Sequence, residues 1–418
     1  MSMLFSAITK CRICAASDFA EIICLGSHPL SGCFPQKNEP DPPLAPLKLV
    51  RCVGCGLVQL AHSVEPAKLY TYGYGYRSGI NSTMRGHLTG IAQENIKRFK
   101  PRPGSVILDI GCNDGTLLAQ YPSQFMLLGI DPIAHKFNYP ANFTVAETYF
   151  YADAFNTLAQ GRKASIITSI AMFYDLENPN QFVADIVNCL DRDGVWILEQ
   201  SYMPEMLKRN SYDTICHEHL EYYRLRQIEY LAQKYSLRVF DVDLNEINGA
   251  SFRLYLCHAS AAYAESTRLA DLRNAEHRSN LNEQSPYVAF RVRCLRLRDE
   301  LRCLIEKEVA AGKRVHIYGA STKGNTILQF CGLDHTLIEA AADRNPEKSG
   351  ARTPVTNIPI IPEETSRTMR PDYFLALPWH FRDEFVRREH DFLLRGGKFI
   401  FPLPTISIIS SSGETVGT

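Results

Sequence analysis

Three groups of residues in this 418-residue chain have the types and spacing to do chemistry. The first lies in Val106-Ile-Leu-Asp-Ile-Gly-Cys-Asn-Asp-Gly-Thr-Leu-Leu118, where an apolar run ends in Asp109, Gly111 follows, and a helix-like apolar pattern starts after Gly115. This reads as strand, tight turn and helix, the opening unit of a nucleotide-binding α/β sheet. Asp109 falls at the carboxyl end of the strand, where open α/β sheets bind ligands, and the two glycines let the backbone approach one. The next apolar run, Phe125 to Ile130, ends in Asp131 at the separation expected of a carboxylate that grips ribose hydroxyls. A glycine-rich turn that serves packing alone is the competing reading.

The second group is Tyr212-Asp-Thr-Ile-Cys-His-Glu-His-Leu-Glu-Tyr-Tyr223, in which His217 and His219 flank Glu218. It combines a proton acceptor that titrates near neutrality with a carboxylate, which suits general acid–base work. A metal site would need a third ligand and usually spaces helical histidines at i, i+4, whereas a hydrogen-bonded structural cluster remains a further alternative. The third group is Cys11-Arg-Ile-Cys14 with Cys52-Val-Gly-Cys55. Each C-x-x-C pair has the knuckle spacing that puts two thiolates on one tetrahedral ion, so together they predict a structural four-cysteine zinc site. Two clusters of buried cysteines are the alternative. Cys24 and Cys33 lack knuckle spacing and are left out. A closed site of this kind stabilises fold and performs no chemistry.

The spacing of Gly111 and Gly115 is not the G-x-G-x-x-G of a dinucleotide fold. With D-I-G-C-N-D-G it resembles motif I of the class I S-adenosylmethionine-dependent methyltransferases. The resemblance implies that Asp109, Gly111, Asn113 and Gly115 line the donor site, that the glycines pass under the methionine part, and that Asp131 holds the ribose.

The elements that must carry these residues follow from periodicity. Strands are expected near 143–150, 164–171 and 194–200, with helices between them, for example around 180–190. Two further strands at 237–243 and 251–257 would close the sheet as a hairpin-like pair. The proline-rich segment 35–46 reads as a loop. Tyr70-Thr-Tyr-Gly-Tyr-Gly-Tyr-Arg-Ser-Gly79 offers hydroxyls, stacking faces and mobile glycines, which favours a lid or pocket wall over a strand. From 274 to 311 the chain is charged and helix-favouring, with Val288, Val292, Leu295, Leu301 and Leu304 as expected buried positions. A new strand at 314–318 then runs into Gly319-Ala-Ser-Thr-Lys-Gly-Asn-Thr326. This imitates a Walker A loop, but Asn325 stands where its lysine should be, which argues against a nucleoside triphosphatase. What survives is a helix start with backbone amides, Ser321, Thr322 and Lys323, suited to a diphosphate. Strands at 337–343 and 371–378, the latter leading to Trp379 and His380, complete a second, smaller α/β unit. A nucleotide fold kept only for dimerisation or shape is its other reading.

The fold class expected is therefore α/β: a class I methyltransferase (Rossmann-like) domain, an N-terminal zinc-binding module and a smaller C-terminal Rossmann-like domain. The expected boundaries are 1–70 for the zinc module, 71–260 for the methyltransferase domain, 261–311 for a helical linker and 312–410 for the C-terminal domain. Lys+Arg and Asp+Glu both number 45, and this neutrality argues against nucleic acid as a partner. No run reaches the ~18–20 apolar residues of a membrane span. Thirteen cysteines without a disulfide framework fit reduced thiols and a cytoplasmic location.

The C-x-x-C pairs, the glycine turn, the D-x-I-x-H-E-H segment and the Y-G-A-S-T-K-G-N-T stretch, in this order over nearly the whole chain, resemble the deoxysugar C-methyltransferases that act on C-3 of nucleotide-linked 4-keto-6-deoxyhexoses. The resemblance implies His219 as the base that forms an enolate, Glu218 as its orienting partner or a sugar contact, and Tyr76 as the stabiliser of the enolate oxygen. It implies further substrate contacts from Tyr74, Tyr222, Lys323, Asn325 and Trp379, with S-adenosylmethionine and structural zinc as the cofactors. Two departures bear on the enolate partners. Cys216 stands where relatives often have a tyrosine, and Ala171-Met-Phe-Tyr-Asp-Leu-Glu177 stands where they often carry a histidine, so Tyr174 or Asp175 would substitute. Transfer to oxygen or nitrogen of another small molecule, a zinc-ribbon nucleic-acid binder with a methyltransferase body, and a catalytically silent scaffold are the other functions weighed.

Overall fold

The computed structural model describes residues 4–30, 32–69 and 77–416. The N-terminal part contributes strands β1 (Phe5–Ala7), β2 (Phe19–Pro29), β3 (Leu44–Cys52), β4 (Val58–Leu60) and β5 (His62–Val64). The middle part adds β6 (Val106–Ile110), β7 (Met126–Ile130), β8 (Phe143–Ala146), β9 (Ala164–Ile170), β10 (Leu190–Ser201), β11 (Glu221–Tyr222), β12 (Leu237–Asn245) and β13 (Ser251–His258). The C-terminal part adds β14 (Val315–Tyr318), β15 (Ala340–Asp343), β16 (Ile360–Pro362), β17 (Tyr373–Ala376), β18 (Lys398–Phe401), β19 (Ser407–Ser410) and β20 (Gly413–Val416).

The central sheet has the order β12-β13-β10-β9-β6-β7-β8, with β13 antiparallel to both neighbours and the strands from β10 to β8 parallel. Strand β6 is buried at all five positions, as a parallel strand covered on both faces must be, which is why it reads as a continuous apolar run. The order reverses between β6 and β9. At that switch point the strand ends leave a crevice, and it is there that open α/β sheets bind ligands. The C-terminal sheet, β16-β15-β14-β17-β18-β19-β20, repeats the plan with five parallel strands and an antiparallel hairpin.

The N-terminal sheet has the order β11-β4-β3-β2, so a strand from the middle of the chain completes it. Strand β11 begins two residues after His219, and this pairing ties the H-E-H segment to the zinc module. One apolar core runs from β2 and β3 through Tyr212, Ile215 and Tyr222 into the C-terminal sheet. Two others pack the opposite faces of the central sheet.

The helix Ser285–Ala310 corrects the expected burial pattern. Val288 is 38% and Val292 58% exposed, while Tyr287, Phe290, Cys294, Leu297, Leu301 and Ile305 are buried. The two candidate stripes differ by one residue, and the one carrying two aromatics buries more apolar area, so it turns inward. Leu301 is buried as expected, and Leu295 and Leu304 pack half-buried against the same core. The segment expected as a loop over 35–46 ends earlier, because β3 starts at Leu44. The strand expected over 143–150 stops at Ala146.

Candidate active site

At the switch point the chain turns through Gly111 (φ 71°), Asn113 (φ 49°) and Gly115 (φ 76°). Asp131, at the end of β7, collects the turn. Its Oδ2 accepts from the Asn113 amide at 2.8 Å and its Oδ1 from the Ile133 amide at 2.8 Å. Burial raises the Asp131 carboxyl, and those two amides work against the rise. Asp109 is 3% exposed and accepts from Thr168 Oγ1 of β9 at 2.6 Å. Burial pushes it up to about 7, so it braces the strand ends from within rather than presenting a free carboxylate. A Cβ on Gly111 would meet Met172 Cγ at 3.2 Å, and one on Gly115 would meet the Tyr139 ring at 3.1 Å. Gly115 is thus demanded by its positive φ and by Tyr139, and Gly111 by its positive φ and the Met172 loop. Residues that follow the tyrosine-rich stretch dock on the same turn, with the Ser78 amide donating to Asn113 Oδ1 (3.0 Å) and the Gly79 amide to Asp114 Oδ2 (2.9 Å). Tyr74 and Tyr76 lie outside the described residues.

His219 lies in the segment that leads into β11. Its Nδ1 donates to Thr214 O at 2.9 Å, which makes Nε2 the unprotonated, accepting nitrogen, and the Tyr174 ring meets it edge-on with centroids 4.4 Å apart. Burial, then the nearby Lys323 ammonium, hold its pKa down to about 3, so the ring is neutral. A small cavity beside it is lined by Tyr174, Ser201, Met203, Met206, Thr214, His219, Glu221 and Tyr222. Tyr222 turns its hydroxyl to Thr214 O (3.1 Å). Glu218 lies against Gly32, where a Cβ would approach its Oε1 to 3.1 Å, and its charge raises the Cys33 thiol after burial has done so. His217 points away, with Nε2 donating to Ala45 O at 3.0 Å, and burial holds its pKa at about 4.

The C-terminal domain reaches into the same region. Lys323, in the first turn of the helix Thr322–Cys331, donates to Asn248 O at 3.2 Å, and its charge acts on Asp213, Cys216, His219 and His380. The Trp379 indole N–H donates to Asp213 Oδ2 at 3.0 Å, so its one polar group is already engaged and only its ring face is left for a ligand. Asn325 sits elsewhere. It lines a second cavity with His28, Pro29, Leu47, Thr322, Thr326 and Gln329, between the N-terminal sheet and the C-terminal helix. Asp213 and His380 were not singled out by sequence, although Asp213 opens the quoted D-x-I-x-H-E-H pattern and His380 follows the expected tryptophan. Arg12 and Glu221 were also passed over, because a pair so distant in sequence leaves no local pattern.

The four knuckle cysteines meet as expected. Their sulfurs all lie within 4.8 Å of one another, with Cys11 and Cys55 at 3.6 Å and Cys14 and Cys52 at 3.5 Å. A tetrahedron with Zn–S of about 2.3 Å has edges near ~3.8 Å, so the donor set fits a closed zinc site. The Gln59 amide donates to Cys11 Sγ at 3.3 Å, as an outer-shell donor to a metal-bound thiolate does. Gln227 Nε2 donates to Cys55 O at 2.9 Å, and Asn180 Nδ2 donates to Arg12 O and Ile13 O, which fastens both knuckles to the central domain.

The fold, the strand order, the glycine turn after β6 and the acid that follows β7 define an S-adenosylmethionine-dependent methyltransferase. Three family profiles match in succession: "Putative zinc binding domain" over 11–70, "Methyltransferase domain" over 84–242 and "C-methyltransferase C-terminal domain" over 246–404. The C-methyltransferase NovU of Streptomyces niveus is 30% identical over 418 residues, 98% of this chain and 99% of that protein. The chain belongs to this family of C-methyltransferases with an N-terminal zinc-binding domain. Among solved structures, the plantazolicin methyltransferase BpumL with bound SAH is 15% identical, covering 42% of this chain and 82% of its own, at a TM-score of 0.31. Magnesium protoporphyrin IX methyltransferase from Synechocystis PCC 6803 is 13% identical, covering 44% and 90%, also at 0.31. Among the described residues no helix is long and apolar enough to cross a membrane.

Proposed function

We propose that this enzyme methylates C-3 of a nucleotide-linked 4-keto-6-deoxy sugar through an enolate, as a step in making a branched deoxysugar. The observation that carries this is His219: Nδ1–H is fixed on Thr214 O, so Nε2 is a neutral, unprotonated acceptor in the wall of a cavity. The C-4 ketone of such a sugar acidifies the proton on C-3, and Nε2 takes it. S-adenosylmethionine, when bound, would supply an electrophilic methyl carbon for this carbanion, with the thioether S-adenosylhomocysteine as the leaving group. Asp131, braced by the Asn113 and Ile133 amides, orients the ribose hydroxyls of the donor, and Gly111, Asn113 and Gly115 shape the turn beneath it.

Lys323 supplies a link between substrate binding and base strength. Its ammonium helps to hold His219 near 3, well below the range near neutrality in which a base works best. Burial is the larger cause of that low value; a diphosphate bound beside Lys323 would offset the smaller share due to the ammonium and raise the basicity of the imidazole when an anionic acceptor is in place. Glu218, within the H-E-H segment, is assigned to orient the base or contact the sugar, Tyr222 and Trp379 are assigned as sugar contacts, and Asn325, on the second cavity, as a contact to a more distant part of the nucleotide-sugar. Tyr76 and Tyr74, which lie outside the described residues, are assigned through the family resemblance to the enolate oxygen and the sugar. Zinc held by Cys11, Cys14, Cys52 and Cys55 stabilises the module on which the base segment is mounted. The test is transfer from S-adenosylmethionine carrying a 13C-methyl group to thymidine- and guanosine-linked 4-keto-6-deoxyhexoses. A labelled methyl on ring carbon supports the proposal; a labelled methyl on oxygen, or none with any of these sugars, overturns it.

A further inference from the structure

The first zinc knuckle carries a charged side chain that metal binding does not use. Arg12 has a side chain only 3% exposed, and its guanidinium donates to Leu60 O (2.9 Å), Gln59 Oε1 (3.3 Å) and Ser63 Oγ (2.7 Å). Its Nε lies 3.7 Å from carboxylate oxygens of both Glu177 and Glu221. Glu221 is fully buried, and neither of its oxygens has a hydrogen bond among the described residues. Arg12 is its one ion-pair partner among them. Burial pushes the Glu221 carboxyl well above its ordinary range, and the Arg12 guanidinium works against that rise. A buried carboxyl group with no hydrogen bond is costly in either protonation state, and Arg12 is the group that offsets the cost, so the position of Glu221 depends on Arg12.

Those two acids belong to the two segments that confine His219. Glu221 opens β11, which pairs with β4 (Glu221 with Gln59, Tyr222 with Val58), and the Leu60 amide donates to Leu220 O at 2.9 Å. The guanidinium therefore grips β4 through Leu60 and Gln59 and β11 through Glu221. Glu177 ends the loop that carries Tyr174, whose ring lies on His219 and whose carbonyl accepts from the Leu220 amide at 2.8 Å. One side chain, rooted between two zinc-binding cysteines, thus holds the strand that follows the imidazole and the loop that packs on it.

We propose that Arg12 is a positioning residue for His219, acting through Glu221 and Glu177, so that the first zinc knuckle is the mount of the base. This rests on the reading of His219 as the base. The test uses the full-length zinc-loaded enzyme and the variants Glu221→Gln, Arg12→Met and Arg12→Lys. Four quantities are measured: zinc per chain, S-adenosylmethionine affinity by calorimetry, kcat and KM with thymidine diphosphate-4-keto-6-deoxyglucose, and the rate of diethylpyrocarbonate acylation at His219. The acylation is mapped by peptide mass spectrometry, with the exposed His335 as internal reference.

Glu221→Gln and Arg12→Met are expected to keep zinc and donor affinity, to lose about 10^2-fold in kcat, the loss that a displacement of ~1 Å produces, and to change the His219 acylation rate relative to His335. Arg12→Lys keeps the cation and is expected to recover part of both. Unchanged kcat and unchanged acylation in a zinc-loaded variant would overturn the proposal, as would losses that appear only in step with loss of zinc. Should the parent fail to turn over this sugar, the substrate reading fails while the acylation rates still decide the positioning role. Should Arg12→Met fail to fold, Glu221→Gln tests the same tie from the other end.

Discussion

His217 makes the fold acid-labile by an amount that can be worked out. Its ring is 1% exposed, donates through Nε2 to Ala45 O, and is held by burial at about 4 against an ordinary 6.5. The folded pKa lies below the unfolded one, so between those values the unfolded chain takes up the proton that the folded chain refuses. Stability is then present above about 6.5 and is lost as the pH falls through the window towards 4. Each unit below 6.5 removes roughly 1.4 kcal/mol, so lowering the pH from 7 to 5 costs about 2 kcal/mol from this one residue. That is a large share of the ~5–15 kcal/mol typical of a folded protein. A glutamine at this position does not titrate and its amide can still donate to the Ala45 carbonyl. Urea unfolding of the parent and of His217→Gln at pH 7 and pH 5 measures the difference. The parent is expected to lose about 2 kcal/mol more than the variant; His219 and His380, also held neutral by burial, contribute equally to both and cancel. Equal losses in the two proteins would refute the reasoning.

Asp131→Ala takes the acceptor from two backbone amides of the donor turn and from the proposed ribose contact, at roughly 1–3 kcal/mol for each unmade buried bond. Calorimetry should show S-adenosylmethionine affinity falling by about tenfold or more with zinc content unchanged, and equal affinity would remove Asp131 from the donor site. Replacing Cys11 and Cys14 together by serine should lower both zinc per chain and soluble yield, because binding energy at such a site is also folding energy. An undiminished metal count would contradict the four-cysteine site.

What could be read from the chain was local. The knuckles and the glycine turn are set by spacing and by positive-φ demands, so Cys11, Cys14, Cys52 and Cys55 meet, and Asp131 closes on Asn113. The seven strands of the central sheet follow from apolar runs, while their order in the sheet is seen only in the fold. Burial along the helix Ser285–Ala310 was not legible, since two stripes one residue apart both fit a helical period and only the size of the partners chose between them. Nor was the split of the C-terminal contacts, in which Lys323 reaches the H-E-H region while Asn325, two residues on, faces His28 across a different cavity. Arg12 and Glu221 are 209 positions apart in the chain, and only the pairing of β11 with β4 brings them together.

The central claim is that His219 makes a carbon nucleophile. Incubating a 4-keto-6-deoxy nucleotide-sugar in deuterium oxide with the parent and with His219→Ala, and following mass gain at C-3 with and without S-adenosylmethionine, tests it directly. Exchange by the parent and methylation when the donor is present are predicted, with both reduced about 10^2- to 10^4-fold in the variant while donor affinity is retained. Exchange that proceeds equally in the variant, or methyl transfer by the parent to a position that never exchanges, would contradict the account.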